Sequence, residues 1–377
     1  MKITAIKTFP ITLTVKPEFY IVSSAGAHAV SRYVIVAIET DEGITGWGEA
    51  TVVPLWSGET QGGAAALMQD YFAPLLKGKN PCEVESLAQA MDAAALENHF
   101  TKAAIEMALF DLVGKARKKP VYELLGGTKN PLQIPIKFSI GLREPEDAAN
   151  IALTKVKEGF TAIKLKVGPD PEKDLLRVRL VREAIGENIK LNVDTNGGWN
   201  VEQAIREIRR YEEFDLAYVE QPTPRWDIDG LAKVRAATGA KIMADEGVFS
   251  IWQAEEVLRK RAADLISIYP GKNGGLLKAK KICDMAEEAG VGCHLGSNLE
   301  WDIGTAAMCH LALASKNVPV KEFPVDILGP LYYSVKPKQK PICFQRGHVF
   351  VPEGNGLGVE ISEEEIKALA STSANSQ

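Results

Sequence analysis

The stretch Ala-Ile-Lys-Leu-Lys-Val-Gly (162–168) decides the fold of this chain, because it is the first of four short apolar runs that end in polar residues. Three similar runs follow it: Lys-Leu-Asn-Val-Asp-Thr-Asn (190–196), Leu-Ala-Tyr-Val-Glu-Gln-Pro (216–222) and Lys-Ile-Met-Ala-Asp-Glu (241–246). Starting from Lys166, the polar residue that ends each run follows after 28, 26 and 25 residues in turn. A strand, a loop, a helix and a return loop need about this length. In a parallel barrel, the C-terminal ends of such strands meet at one face.

The same alternation of short strands and helices extends over residues 131–334 and predicts parallel strands. Further strands are predicted at 134–141, 265–271, 291–296 and 320–325. Eight strand–helix units, one of them allowed to be irregular, predict a (β/α)8 TIM barrel. A doubly wound sheet is the alternative, but it does not naturally bring four or five successive strand ends around one centre.

The residues before the barrel predict a smaller α+β domain. A strand at 2–15 and a hairpin at 33–50, turning at 41–43, precede helical spacing that ends at Gly126-Gly127. We expect 16–32 and 51–62 to be loops. The sequence thus predicts an N-terminal capping domain at 1–130 and a catalytic barrel at 131–334. The segment 335–370 folds back to complete the capping domain, and residues 371–377 are disordered.

Composition narrows the class of protein. The 377 residues carry a net charge of −5 without a long basic block, which disfavours a nucleic-acid partner. No apolar run approaches the roughly 20 residues of a membrane span, and the first residues do not form a signal peptide. The five cysteines form no Cys-x-x-Cys pair and are expected to be buried, reduced thiols. We therefore expect a cytoplasmic protein with no membrane partner.

The polar strand ends predict a metal site with an amine base. Asp194, Glu220 and Asp245 are hard oxygen ligands, which favour Mg²⁺ or Mn²⁺ over Zn²⁺. Lys164 and Lys166 are two residues apart on a strand and face the same side. Lys166 lies nearer the strand end and is the expected base, and Lys164 would lower its pKa and bind the substrate carboxylate. These groups suit removal of a proton α to a carboxylate, with a divalent cation offsetting the charge of the enediolate.

At this point the chain resembles the enolase superfamily, specifically the muconate lactonizing enzyme subgroup of the mandelate racemase/muconate lactonizing enzyme family. The resemblance covers nearly the whole chain. The motifs that carry it are Gly46-Trp47-Gly48-Glu49, the run 103–112, Lys164-x-Lys166, Asp194-x-Asn196, Glu220-Gln221-Pro222, Asp245-Glu246, Gly274-Gly275, Leu299-Glu300 and Gly329-Pro330-Leu331.

The resemblance implies several further roles. Asn196 and Glu246 would support the metal ligands, and the loops 16–32 and 51–62 would close over the barrel mouth and select the substrate. Tyr20, Ser24 and Trp56 in these loops are therefore candidate substrate-binding residues. The partner implied is a small-molecule carboxylate, and the chain is expected to form a homo-oligomer.

One position departs from the family pattern. Alignment on Gly274-Gly275 places Tyr269 where the subgroup usually has a second lysine, and Lys272 in the next turn does not replace it. Tyrosine can donate a proton but is a poorer base, so a two-lysine racemase is disfavoured. His294 and Glu300 are candidates for contact with the substrate. Asp326 stands without the Asp-x-Asp that dipeptide epimerases place there, which argues against a dipeptide substrate.

Four functions follow, in order of preference. The first is a Mg²⁺-dependent isomerase or lyase resembling muconate cycloisomerase, with Lys164, Lys166 and Tyr269 as catalytic residues. The second is a dehydratase of a sugar acid or a hydroxylated cyclic amino acid. The third is an amino-acid racemase or epimerase that uses Lys166 and Tyr269. The fourth, of another class, is a non-catalytic ligand-binding barrel.

Overall fold

The N-terminal sheet has three antiparallel strands in a computed structural model that describes residues 1–24 and 26–374. The strands of this region are β1 (Ile3–Thr14), β2 (Ile21–Ser23), β3 (Gly26–His28), β4 (Val30–Thr40) and β5 (Thr45–Val52). The sheet order is β1-β4-β5, and the predicted hairpin turn between β4 and β5 is confirmed. The expected loop at 16–32 instead contains the small hairpin β2–β3. Strands of three residues are too short to show a period-2 pattern, so the sequence did not predict them.

Six helices pack on or beside this sheet. They are α1 (Pro54–Ser57), α2 (Gln61–Leu67), α3 (Ala73–Leu76), α4 (Val84–Ala94), α5 (His99–Arg117) and α6 (Val121–Leu124), with a π-helical turn at Met68–Phe72. Helix α1 lies inside the segment 51–62 that was predicted to be a loop. Helix α5 is buried along most of its length and lies directly on β5. Glycine permits this approach, since a Cβ on Gly48 would lie 1.8 Å from the carbonyl oxygen of Ala104.

The predicted barrel is confirmed. The short strand β6 (Gln133–Pro135) precedes it. The elements of the barrel are β7 (Phe138–Ile140), α7 (Pro145–Lys157), β8 (Ala162–Lys166), α8 (Pro171–Ile185), β9 (Lys190–Asp194), α9 (Val201–Tyr211), β10 (Leu216–Glu220), α10 (Ile228–Ala237), β11 (Ile242–Ala244), α11 (Ile251–Arg259), β12 (Leu265–Ile268), α12 (Leu276–Glu288), β13 (Gly292–Leu295) and α13 (Asp302–Ala314). Strands β7 to β13 are parallel neighbours in chain order.

The barrel closes without a full eighth strand, contrary to the prediction at 320–325. Val325 forms a single bridge to Ile136, and its N–H donates to the carbonyl of Pro135 at 3.0 Å. On the other side, the N–H of Asp326 donates to the carbonyl of Leu295 at 2.9 Å. Pro324 has no N–H and cannot extend a ladder of hydrogen bonds, so the pairing stays at one bridge. The predicted first strand is also divided: β7 belongs to the barrel, whereas β6 pairs with a C-terminal strand.

The C-terminal segment returns to the N-terminal region. It contains β14 (Phe344–Gln345), β15 (His348–Phe350) and α14 (Glu363–Ala374). Strand β15 pairs with β6, and α14 packs against β1, where Lys7 contacts Glu363 at 2.9 Å. The domain boundaries themselves stay a prediction. Residues 371–374 are helical rather than disordered, and the rest of that predicted tail lies outside the described residues.

Two predictions from composition can be compared with the structure. All five cysteines are free, but Cys343 is exposed and Cys82 is half-buried, so the expectation that all five are buried is wrong. Across residues 1–24 and 26–374, no helix is long and apolar enough to cross a membrane.

Candidate active site

A cavity of about 150 Å³ lies at the C-terminal ends of the barrel strands. Lys164, Lys166, Asp194, Glu220 and Asp245 all line it, so the structure brings together the five residues on which the sequence analysis depends. The other lining residues are Ile21, Ser23, Gly26, Ala27, His28, Val53, Leu55, Trp56, Ser139, Asn196, Ser297, Asn298, Leu299, Asp326 and Tyr332.

The register of the parallel strands explains this convergence. Lys166 at the end of β8 is level with Asp194 on β9, and Asp194 is level with Glu220 on β10. Each apolar strand ends at the same height, so its last inward-pointing side chain enters the same space.

The two lysines of β8 contact different sets of acids. The Lys166 ammonium lies 2.5 Å from Asp194 and donates to the side-chain oxygen of Asn196 at 2.9 Å. The Lys164 ammonium lies 2.8 Å from Asp326 and 3.3 Å from both Asp194 and Glu220. Burial alone would lower the pKa of Lys164, but the charges of Asp326, Glu220 and Asp194 raise it well above its usual range. Lys164 therefore stays an ammonium group.

Two fully buried lysines approach the same acids from inside the barrel, and the sequence analysis gave neither of them a role in the site. Lys272 donates to the side chain of Asp245 at 2.7 Å and to the carbonyl of Ser267 at 2.6 Å. Lys137 lies 3.6 Å from Asp326 and 3.8 Å from Glu220. The only sequence signal for Lys137 was its place inside the predicted barrel strand 134–141, where a charged residue is uncommon.

His294 and Tyr218 are buried beside Lys137 inside the barrel. The Lys137 ammonium donates to the hydroxyl of Tyr218 at 2.6 Å and lies 3.4 Å from Nε2 of His294. Burial and the charge of Lys137 lower the pKa of His294 well below its usual range. His294 is fully buried and is not among the cavity-lining residues that the structure describes, so it lies below the predicted substrate position.

Asn196 connects Glu246 to Asp194, whereas the role that the resemblance implied for both residues, support of the metal ligands, stays a prediction. The side-chain amide of Asn196 donates to Glu246 at 2.8 Å, and its backbone N–H donates to Asp194 at 2.9 Å. Burial, with the nearby charges of Asp245 and Asp194, raises the pKa of Glu246 to about 8.

Tyr269 lies behind the cavity wall. Its ring stacks on Trp56 with a centroid separation of 5.7 Å, and the Lys272 ammonium lies 4.8 Å from its ring centre. Burial and the charge of Asp245 raise the pKa of Tyr269 well above its usual range. Of this pair, Trp56 alone lines the cavity among the described residues.

The other predicted substrate-binding residues take supporting positions. Tyr20 packs against the hydrophobic core, and the Ser24 hydroxyl donates to the carbonyl of Thr195 after β9. Glu300 accepts hydrogen bonds from the Ser297 hydroxyl at 2.7 Å and the Asn298 N–H at 3.0 Å. Glu300 thus fixes the loop whose residues 297–299 line the cavity.

The side chains of the three acids offer the kind of ligand atom that a divalent cation binds. Asp194, Glu220 and Asp245 offer only oxygen atoms, and Glu246 keeps one buried oxygen without a hydrogen-bond partner. Burial and the charge of Asp194 raise the pKa of Glu220. Within the described part of the chain, no three histidine, cysteine or acidic side chains already stand so that they could hold a metal ion. The three acids contact lysines instead, and their role as metal ligands stays a prediction.

Comparison with known proteins extends this result over the whole chain. Residues 6–126 match the mandelate racemase/muconate lactonizing enzyme N-terminal domain, and residues 147–365 match the enolase C-terminal domain-like family. N-succinyl-L-Arg/Lys racemase of Bacillus cereus is 32% identical over 98% of each chain, and its crystal structure gives a TM-score of 0.92. Muconate cycloisomerase 1 of Rhodococcus opacus is 32% identical over 94% of each chain.

A third relative has been solved with a metal. The hydrophobic dipeptide epimerase of Enterococcus faecalis is 37% identical, covering 95% of this chain and 99% of that protein. Its crystal structure with Mg and the dipeptide L-Leu-L-Tyr gives a TM-score of 0.88 at 33% identity, covering 95% of this chain and 99% of that chain. Because two domain families and full-length relatives agree with the barrel and its cavity, the chain is an enzyme of the enolase superfamily and belongs to the mandelate racemase/muconate lactonizing enzyme family.

Proposed function

We propose that this enzyme is a Mg²⁺-dependent dehydratase that removes the proton α to the carboxylate of a small hydroxylated acid, with Lys166 as its single base. The observation that carries the proposal is the asymmetry of the cavity. Lys166, at the end of β8, lines the cavity. Tyr269, which follows β12, is not among the cavity-lining residues that the structure describes.

The position of Lys166 suits a base. Its nitrogen contacts Asp194 at 2.5 Å and Asn196 at 2.9 Å, and its side chain keeps 11% of its surface exposed at the cavity. Lys164 contacts three acids and keeps only 6% of its side chain exposed, so Lys166 is the more accessible amine. As a fixed cation beside the base, Lys164 is suited to attract the substrate carboxylate.

Tyr269 does not supply a second base at the position where the subgroup usually has a lysine. Tyr269 is 1% exposed, packs against Trp56, and has a pKa that burial raises well above its usual range. A racemase that removes protons from both faces needs a basic group on each. Two of the relatives are named an epimerase and a racemase, and such reactions need a base on each face of the substrate. In this chain we assign the role of base to one amine, that of Lys166.

The charges of the cavity favour a hydroxylated acid over an unsaturated diacid. Among the lining residues that the structure describes, Lys164 and Lys166 are the only lysines, and arginine does not occur. Both already contact acids, so a second substrate carboxylate would lack a cation. Asp326 and Ser139, which share a hydrogen bond of 3.2 Å, offer partners for a hydroxyl or amine instead. The cycloisomerase hypothesis, first in the sequence analysis, thus becomes second.

Bound by Asp194, Glu220 and Asp245, Mg²⁺ would act as a Lewis acid that offsets the charge developing on the substrate carboxylate. The α-proton passes to the nitrogen of Lys166. The bond between the β-carbon and its hydroxyl then breaks, and the Lys166 ammonium returns a proton to the departing oxygen, which leaves as water. One amine can serve both transfers when the proton and hydroxyl leave from the same side. If the α-carbon carries oxygen, the enol product tautomerises to a keto acid. If it carries nitrogen, the enamine product tautomerises to an imine, which water hydrolyses to a keto acid with release of the amine from that carbon.

The experiment is an NMR assay in D₂O with Mg²⁺ and a panel of sugar acids, hydroxylated cyclic amino acids, unsaturated diacids and N-acyl amino acids. We expect a keto acid from a hydroxylated member of the panel. Loss of a diene would favour the cycloisomerase, and α-deuterium with inverted configuration would favour the epimerase. Either result, without any keto product, would refute the dehydratase. Lys166→Met is the control that separates catalysed from spontaneous change.

A further inference from the structure

His28 lies on β3 of the small hairpin β2–β3, where it pairs with Ile21 on β2, and it lines the cavity. Its Nε2 lies 2.5 Å from the hydroxyl of Ser31, which lies 2.6 Å from the hydroxyl of Tyr333. The Tyr333 hydroxyl in turn lies 3.0 Å from the carbonyl oxygen of Leu299. Four polar groups are thus linked by a chain of hydrogen bonds that begins at His28 in the cavity and ends at the carbonyl oxygen of Leu299.

The carbonyl end fixes the direction of the chain. A carbonyl oxygen only accepts hydrogen bonds, so the Tyr333 hydroxyl donates to Leu299. The Tyr333 oxygen then accepts from Ser31, and the Ser31 oxygen accepts from Nε2–H of His28. In the opposite direction, the buried oxygens of Tyr333 and Leu299 would face each other at 3.0 Å with no proton between them, which is costly away from water.

The carbonyl itself is firmly held. It also accepts from the hydroxyl of Tyr33 at 2.7 Å, which uses its second lone pair. Leu299 has a φ of 60°, a left-handed conformation that a leucine adopts only when its surroundings enforce it. Ser31 and Tyr333 are fully buried, so water does not compete for the chain.

The other nitrogen of His28 is consequently an acceptor. With the proton on Nε2, Nδ1 of a neutral imidazole carries a lone pair. Within the described part of the chain, no hydrogen bond to Nδ1 is found. Burial lowers the pKa of His28 to about 4, which keeps the ring neutral at pH 7.

We propose that His28 is a specificity-determining residue that presents Nδ1 as a neutral acceptor to a hydroxyl or N–H group of the substrate. The inference rests on the proposed function, because the donor belongs to the acid whose carboxylate Lys164 attracts. A substrate with a carboxylate or carbonyl at this place meets a lone pair instead of a proton. The residue therefore selects hydroxy or amino acids and rejects the corresponding diacids.

The first test measures the tautomer directly, with no need for substrate or turnover. Long-range ¹H–¹⁵N correlation spectra of the labelled enzyme at pH 7.5 distinguish protonated from unprotonated ring nitrogens. His28→Phe identifies the His28 signals among those of the five histidines. We expect a proton on Nε2 and none on Nδ1; a proton on Nδ1, alone or with Nε2, overturns the proposal. Ser31→Ala, which breaks the chain, should mix the two tautomers, and Ser86→Ala, on the exposed face of α4, should not.

The second test measures selectivity with two probes that differ by one hydroxyl, 3-hydroxybutanoate and butanoate, titrated into the Mg²⁺-loaded enzyme. One hydrogen bond gives a preference of about 2- to 10-fold for the hydroxylated acid. His28→Phe should remove this preference, and His28→Gln, which keeps an acceptor, should restore part of it. Equal affinity of the wild-type enzyme for both acids, or a preference unchanged in His28→Phe, overturns the proposal. Failure of the dehydratase assay with the expected tautomer and preference would refute the proposed reaction alone.

Discussion

Lys137→Met removes a buried amine, whose pKa is lowered by burial and by the charge of Lys164, and should cost this protein about 3 kcal/mol of stability. Methionine has a similar length and fills the same space, so the substitution isolates the charge. Lys137 is 0% exposed and lies 3.6 Å from Asp326 and 3.8 Å from Glu220. Without it, two buried carboxylates share the single ammonium of Lys164.

The magnitude follows from these distances. At an effective dielectric constant of about 20, each ion pair is worth roughly 4 to 5 kcal/mol before the cost of burying the charges. Removing one partner of a buried pair typically costs about 3 to 5 kcal/mol, because the remaining charge is left uncompensated. Lys164 still contacts both acids, so we expect the lower end of that range.

A matched control comes from the same substitution at a surface pair. Lys119 contacts Glu123 at 3.3 Å, and the two side chains are 55% and 42% exposed. Lys119→Met should therefore cost less than about 1 kcal/mol. Urea unfolding of both variants and of the wild type gives the comparison. Equal losses of stability in the two variants, or a Lys137→Met protein as stable as the wild type, would show that Lys137 does not stabilise the buried carboxylates of Asp326 and Glu220.

Two further substitutions test the base and the effect of pH. Lys166→Met should slow α-deuterium exchange of the substrate at least about 100-fold, since a positioned base contributes about 10²- to 10⁴-fold; exchange within tenfold of the wild type would contradict the assignment. His310 is buried and donates to the carbonyl of Leu357 at 3.1 Å, and burial lowers its pKa from 6.5 to about 4. Its neutral form contributes stability that is complete above about pH 6.5 and is lost as the pH falls toward 4, by up to about 3 kcal/mol. His310→Gln cannot be protonated, so urea unfolding at pH 7.5 and 4.5 should show a smaller acid loss than in the wild type; equal losses would contradict this.

The amino-acid sequence by itself determined the barrel and the main contents of its mouth. Lys166, Asp194, Glu220 and Asp245 recur at the length of one strand–helix unit, and a parallel barrel converts that even spacing into one shared cavity. This information is local and periodic, so it can be read without knowledge of packing.

The tertiary structure decided which other groups reach that mouth. A single bridge between Val325 and Ile136 closes the barrel next to Asp326, which contacts both Lys164 and Lys137. The hydrogen-bond chain of His28 depends on Ser31 and Tyr333, which are 302 residues apart in sequence. Contacts of this kind leave no periodic signal, because each results from the packing of whole elements that only the folded chain brings together.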